Sequence, residues 1–233
     1  MSHVISVVAK DRYDVILLVM TPSRPSAHEQ APPASRVLWL LRHGERIDHV
    51  DPDWQGWDPP LSPQGVNQAQ LTATFLRTHN IERIYSSPFL RTLQTAHAVA
   101  EELDLPLRME SGLSEWMNPQ WFPTPPPLPS AAERAQAFHR MDLTYKPLLP
   151  APYPESLVEC LRRSCVAARL VGANDTAGSI LMVVHGGTVS GIVSGLQGQT
   201  HEVPCQYCGL YRLRLSGTSA NVEMANGTDH LHT

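Results

Sequence analysis

Cysteine is scarce in this chain of 233 residues, which has only Cys160, Cys165, Cys205 and Cys208. In two close pairs, they are too few for a disulfide scaffold and point to reduced thiols and a cytoplasmic location. The Cys205-x-x-Cys208 spacing resembles half a zinc site or a redox pair, but no second ligand pair has matching spacing. Charge is sparse too. Charged residues make up 17% of the chain and the net charge is −4, which argues against a general nucleic-acid or anionic-membrane binder. Any basic site must therefore be local. No apolar run approaches the ~18 residues that a membrane-spanning helix needs. The longest, VILLVM at 15–20, follows Asp11, Arg12 and Asp14, the wrong flank for a signal peptide. The sequence also has no H-E-x-x-H, no G-x-S-x-G and no internal repeat, so the zincin and serine-hydrolase signatures are missing.

What is present begins with a hydrophobic content of 42%, enough for one sizeable core. Residues 1–35 read as an N-terminal extension: two strand-like runs, VISVV and DVILLVM, able to form a hairpin, then a Pro/Ser/Ala-rich linker. From Arg36 to about residue 215, strand and helix signals alternate. RVLWLL, IERIYSS and SILMVV have the length and apolarity of buried strands. SPQGVNQAQLTATFLRTHN and SPFLRTLQTAHAVAEELD each open on Ser-Pro, with Ser62 as N-cap and Pro63 at the first helical position of the former. The segment 118–130 contains six prolines and reads as an insertion or lid, after which AAERAQAFHR resumes helical patterning. YPESLVECLRRSCVAARLVG is a helix expected to stop at a Gly172 cap. HGGTVSGIVSGL is a glycine-rich turn opening a helix, and GLYRLRL is the last expected strand. Residues 216–233 read as a polar tail without regular structure.

This alternation implies a three-layer α/β/α domain with a mostly parallel central sheet. Ligands of such sheets sit beyond the carboxyl ends of the strands. That rule gathers Arg42 and His43 after VLWLL, Ser86 and Ser87 after IERIY, and His185 and Gly186 after ILMVV. Arg42 and Arg46 lie four apart around Gly44, where glycine lets the backbone approach a ligand. Two guanidiniums converge comfortably only on an anion, and phosphate matches their rigid fork. Glu45, between them, is expected to orient one arginine through a salt bridge. Gly186, Gly187 and Thr188 open a helix whose N-terminus favours an anion. Arg91, in a first helical turn, opposes the helix dipole; an external anion or a salt bridge would each account for it.

An imidazole kept neutral by cationic neighbours retains the lone pair of a nucleophile. His43 would then attack phosphorus, with Arg42, Arg46, Arg91 and His185 binding the phosphoryl oxygens. Glu115 in GLSEWMN is the best candidate to protonate the leaving oxygen, although without further support a surface glutamate is the favoured reading of it. Arginines beside His43 would repel a metal cation.

LRHGER, SSPFLRTLQTA and VVHGG, with PPLSPQGVNQAQ at 59–70 between the first two, resemble the histidine phosphatase superfamily, the phosphoglycerate mutase-like fold. RHGERIDHV, SEW, DLTYKPLLP and YPES are similar to the phosphatase domains of T-cell ubiquitin ligand proteins (suppressors of T-cell receptor signalling) and to ecdysteroid-phosphate phosphatase. The resemblance implies His43 as nucleophile, Glu115 as proton donor, and Arg42, Arg46, Arg91 and His185 as the phosphate pocket, with no metal and no cofactor. Those signalling proteins carry ubiquitin-associated and SH3 modules, which this chain is expected to lack. The expected substrate is a phosphomonoester, either a phosphoprotein or a small molecule, and the protein is expected to form a homodimer. Trp54, Trp57, Trp116, Trp121 and Phe122 would either wall a pocket for a flat leaving group or anchor loops. A phosphoglycerate mutase, a sugar bisphosphatase and a non-catalytic phospho-ligand module are the competing readings.

Overall fold

The structure is a computed structural model describing residues 36–217 and 219–232; the expected hairpin and linker of residues 1–35 lie outside them. Six strands form one sheet in the order β3-β2-β4-β1-β5-β6. They are β1 Arg36–Arg42, β2 Arg83–Ser86, β3 Leu107–Met109, β4 Ser179–Val184, β5 Leu210–Ser216 and β6 Ser219–Gly227. β1 to β4 run parallel, and β5 and β6 continue the sheet antiparallel. The unbroken apolar runs foreseen for parallel strands are seen: every residue of β4 is buried.

Among the described residues, five α-helices accompany these strands: α1 Pro63–Leu76, α2 Leu90–Leu103, α3 Ala131–Arg134, α4 Leu157–Asn174 and α5 Gly186–Leu196. α1 and α2 send Ala73, Leu76, Leu93, Ala96 and Val99 into one core with Trp39, Leu41, Leu181 and Val183. The alternate strand residues Leu38, Leu40, Ile180 and Met182 are equally buried. They face the other way, toward the layer in which α4 packs on α5. Ser62 caps α1 by accepting from Gly65 N (2.9 Å), as its position before Pro63 led one to expect. α4 has a full capping box, Ser156 with Glu159.

Four sequence expectations differ from the structure. Residues 219–227 are a sheet strand rather than part of a polar tail. β6 is an edge strand with alternating exposure, and half-buried alternation in a polar sequence has the same composition as a loop. Helical structure after the proline-rich segment is brief, because α3 spans only Ala131–Arg134 before turns take over. α4 runs past Gly172 to Asn174; Gly172 lies inside the helix, where a glycine is tolerated at the cost of some stability. The Ser-Pro opening of α2 is not a cap like that of α1. Its N-cap residue is Phe89, without a side-chain cap, and the Leu90 N–H donates instead to Asp58 Oδ1 (2.8 Å).

Gly44 also has a different reason to be glycine. A Cβ there would sit 2.6 Å from Gly65 O, and one on Gly65 would sit 2.1 Å from Glu45 O. The loop after β1 therefore rests directly on the first turn of α1. Glu45 secures the same contact: its carboxylate accepts from Ser62 Oγ (2.7 Å), and its backbone N–H donates to Gln68 Oε1 (2.9 Å). It does not orient an arginine. Because backbone must give way, Gly65→Ala is expected to cost about 2–3 kcal/mol, as overpacking a tight contact does. A lowered melting temperature checks this, and an unchanged one would contradict the close approach.

Candidate active site

The register explains why distant residues meet. Arg42 pairs with Val184, and Ser86 with Val183 and Met109, so four strands end level along one sheet edge. His43 follows β1, Ser87 follows β2, the turn carrying Glu115 follows β3, and His185 follows β4 as the N-cap residue of α5. β5 runs the other way, so the loop 205–209 enters this edge from its other end.

Four groups converge there. Relative exposures are 2% for His43, 0% for His185, 2% for Arg91 and 9% for Glu115. The two imidazole rings lie 5.3 Å apart. His43 Nδ1 is 2.8 Å from Gly44 O. A carbonyl only accepts, so Nδ1 carries the proton and Nε2 the lone pair. Arg91 Nη2 donates to Glu115 Oε2 (3.0 Å), and the same oxygen lies 3.2 Å from His185 Nδ1. His185 Nε2 and Ser87 Oγ are 2.8 Å apart. Ser87 is thus spent on His185 rather than on capping α2.

Burial holds His43 well below the ordinary imidazole value, with Arg91, His185 and Arg42 adding to the effect. Burial also brings His185 down to about 4 despite the neighbouring Glu115 carboxylate. For Glu115 burial works upward, but His185, Arg91 and His43 outweigh it and hold the carboxyl well below its usual range. With the two imidazoles neutral and the carboxylate charged, Arg42 and Arg91 supply the cationic charge of the site. Arg42 Nε and Arg91 Nε are buried without a hydrogen-bond partner among the described residues. Buried N–H groups of this kind suit an anionic ligand, and the N-terminus of α5 adds its dipole.

The remaining expected residues are placed unevenly. Arg42 stacks its guanidinium on Tyr207, 4.2 Å from the ring centroid, and its Nη1 donates to Cys205 O. Arg46 stands at the rim with Nε and Nη2 donating to Asp48, so its fork is engaged by a neighbouring carboxylate. The salt-bridge reading of Arg91 has substance: beside Glu115, Asp58 Oδ1 lies 3.7 Å away. That pairing is buried within the site rather than on the surface. Trp57 packs edge-on against Phe89 (6.3 Å), and Phe89 contacts both Phe122 (5.9 Å) and His185 (5.2 Å). Trp116 points its Nε1 at Glu155 O (2.8 Å) and packs on Trp121. Trp54 folds over Gly56. Trp57 and Phe122 thus border the site, whereas Trp54 and Trp116 are occupied in anchoring loops.

Three contributors escaped sequence reasoning. Phe89 packs on His185 and carries the Arg91 guanidinium 4.7 Å above its ring. Asp58 ties together Arg91, Arg134 and the start of α2. Tyr207 covers Arg42 and lies 5.7 Å from the His43 ring. Tyr207 sits inside the Cys205-x-x-Cys208 pair, and the tyrosine, not the thiols, is what that loop brings to the site. Burial pushes both thiols up to about 12. Neither cysteine belongs to a cluster with metal-ligand spacing among the described residues.

Two clusters do have such spacing: His43, Glu115 and His185, and on the surface His97, Glu101 and His139. In each the carboxylate is already engaged by a guanidinium, Arg91 on Glu115 (3.0 Å) and Arg140 on Glu101 (2.7 Å). Cations so placed oppose a metal ion.

With this geometry in view, residues 38–228 match the histidine phosphatase superfamily (branch 1). The chain belongs to that family. It is 30% identical over 224 residues to human ubiquitin-associated and SH3 domain-containing protein A, covering 77% of this chain and 33% of that protein. To the Drosophila melanogaster ecdysteroid-phosphate phosphatase it is 27% identical over 241 residues, covering 80% and 31% respectively. The chain thus spans about a third of the length of these curated relatives. Among solved structures, the ecdysone phosphate phosphatase from Bombix mori in complex with tungstate superposes with a TM-score of 0.67 at 24% identity. That match covers 80% of this chain and 91% of that one. Phosphoserine phosphatase from Entamoeba histolytica in complex with 3-phosphoglyceric acid gives 0.61 at 23% identity, covering 84% and 99%. The phosphoglycerate mutase-like fold is shared, and the family membership supports a phosphatase. No helix of the described residues is long and apolar enough to cross a membrane.

Proposed function

We propose that the protein is a metal-independent phosphomonoesterase that works through a phosphohistidine at His43. The observation that carries this reading is the buried His43 with Nδ1 committed to a carbonyl, beside Arg42 and Arg91 whose Nε–H groups have no partner among the described residues. Nε2 attacks phosphorus and forms the P–N bond while the ester P–O bond breaks. Arg42 and Arg91 stabilise the charge on the phosphoryl oxygens, and His185 and Arg46 join them once their pairings with Ser87 and Asp48 open. Glu115 gives its proton to the departing oxygen and then takes one from the water that cleaves the P–N bond. Glu115 is ionised at rest, so it must gain that proton as substrate binds. The phosphate brings negative charge next to Arg91 and His185, which removes the stabilisation of the carboxylate and raises its pKa.

Phe89, Phe122, Trp57 and Tyr207 border the site and favour a flat apolar alcohol as leaving group. Substrates of that class are aryl phosphates, phosphotyrosine and steroid phosphates, the last in keeping with the name of the fly relative. A panel of these against sugar phosphates, read as kcat/KM in EDTA, tests the proposal. Flat substrates are expected to lead by about tenfold or more, the scale of apolar pocket discrimination. Activity that needs an added divalent metal, or a preference for sugars, would refute it.

The acid side of the pH profile is a second test. Since His43 is neutral until well below the ordinary value of about 6.5, its nucleophile should survive mild acid. Stability moves with pH as well. Both histidines bind protons less readily folded than unfolded, so stability falls as pH drops below about 6.5. Glu115 acts in the same sense, its contribution being lost as pH falls through its depressed folded value. Melting temperatures are therefore expected to decline from neutral toward acid pH, and a rise would contradict the assignments.

A further inference from the structure

Arg163 lies in the middle of α4 and is fully buried with its partner Glu155. Its Nε and Nη2 donate to the two Glu155 carboxylate oxygens, both at 2.8 Å. The other donors grip a single stretch of backbone: Nη1 donates to Gly112 O (2.8 Å) and Ser114 O (3.1 Å), and Nη2 to Glu115 O (3.1 Å). All five N–H groups of the guanidinium are thereby used. Glu155 adds its own hold on the same stretch, accepting from Trp116 Nε1 at its carbonyl (2.8 Å) and donating its N–H to Met117 O (3.0 Å). Thr188 Oγ1, from α5, donates to Ser114 O (3.0 Å).

Stability alone is a weak reason for such a pair. Desolvating two charges offsets most of their attraction, and apolar replacements of similar volume are often neutral or stabilising. What the pair supplies is geometry. The backbone on both sides of the Glu115 side chain is tied to a planar, five-donor fork fixed in a rigid helix, which a lysine with three donors cannot reproduce.

We propose that Arg163 is a positioning residue: by holding the carbonyls of Gly112, Ser114 and Glu115, it places the Glu115 carboxyl for proton delivery to the leaving group. This rests on the reading of Glu115 as proton donor. Proton delivery matters for a basic alkoxide leaving group and hardly at all for p-nitrophenolate. A fault in positioning Glu115 therefore has a signature that general loosening of the fold lacks.

The experiment compares kcat/KM for p-nitrophenyl phosphate and for glycerol phosphate in Arg163→Lys, in the paired Glu155→Leu/Arg163→Met variant, and in Glu115→Gln. The paired variant removes both charges, so it avoids leaving a lone buried carboxylate; melting curves accompany each. Arg163→Lys and the paired variant are expected to lose about 30-fold or more on glycerol phosphate and no more than about threefold on p-nitrophenyl phosphate, within the usual range for general acid catalysis. Glu115→Gln is expected to show the same bias, larger. Equal losses on both substrates in the Arg163 variants, no loss on either, or failure of both to fold would overturn the inference. If Glu115→Gln affects both substrates alike, the proton-donor reading itself fails. If it is biased and the Arg163 variants are not, only the positioning role is lost.

Discussion

His43→Ala is expected to lower kcat/KM by at least about 10⁴-fold, or ~5.5 kcal/mol of transition-state stabilisation. No other group in the site can replace it as nucleophile. His185 has Nε2 against Ser87 Oγ at 2.8 Å and Nδ1 beside the Glu115 carboxylate, so neither nitrogen offers a free lone pair to phosphorus. Of the two histidines in the site, His43 is the one with a tautomer set by a backbone carbonyl and a lone pair left over. Incubation with an isotopically labelled aryl phosphate, followed by rapid quenching, should trap an acid-labile, alkali-stable phosphoenzyme in the wild type. The variant should trap none while remaining folded. Full activity in His43→Ala would end the covalent reading.

Arg91→Lys is expected to cost about 10³-fold in kcat/KM, ~4 kcal/mol, the scale seen when a preorganised transition-state donor is removed. The substitution keeps a positive charge but loses the fork. In the native site that fork donates to Glu115 (3.0 Å), lies 3.7 Å from Asp58 and still has a buried Nε–H without a partner. An ammonium on a flexible stem can satisfy one of these demands at a time. Binding of tungstate, as a phosphate stand-in, should weaken together with the rate. A loss in rate with unchanged tungstate affinity would place Arg91 on Glu115 alone, and no loss at all would remove it from the pocket.

How far the site could be read in advance differed from residue to residue. His43, Arg91 and His185 were legible because each follows a strand or opens a helix with a recognisable local pattern, and strand ends share an edge in a parallel sheet; Glu115 was legible mainly through the family resemblance. Arg42 was legible as a cation but not as one stacked under Tyr207. Arg46 was expected on an anionic ligand, whereas its donors go to Asp48, two residues away; side-chain pairing at such short range leaves no mark in spacing. Phe89, Asp58 and Tyr207 were missed. Asp58 and Tyr207 lie in loops without periodicity, and the CxxC spacing drew attention to the thiols flanking Tyr207. β6 was missed because an exposed edge strand can be as polar as a tail.

Local order along the chain was determined by the sequence itself. Apolar runs of strand length, the Ser62 and Ser156 caps and the family motifs follow from short-range sterics and patterning, which act within a few residues of each other. Tertiary structure alone decided which loops meet. The antiparallel entry of β5 carries Tyr207 to the edge where β1, β2 and β4 end. The contact of Gly44 with Gly65 turns a flexible residue into a fixed joint. The reach of Arg163 across 48 to 51 residues to the backbone around Glu115 depends on α4 lying against that turn. Such contacts form between segments far apart in sequence, so no local pattern encodes them, and burial then gives them their electrostatic effect.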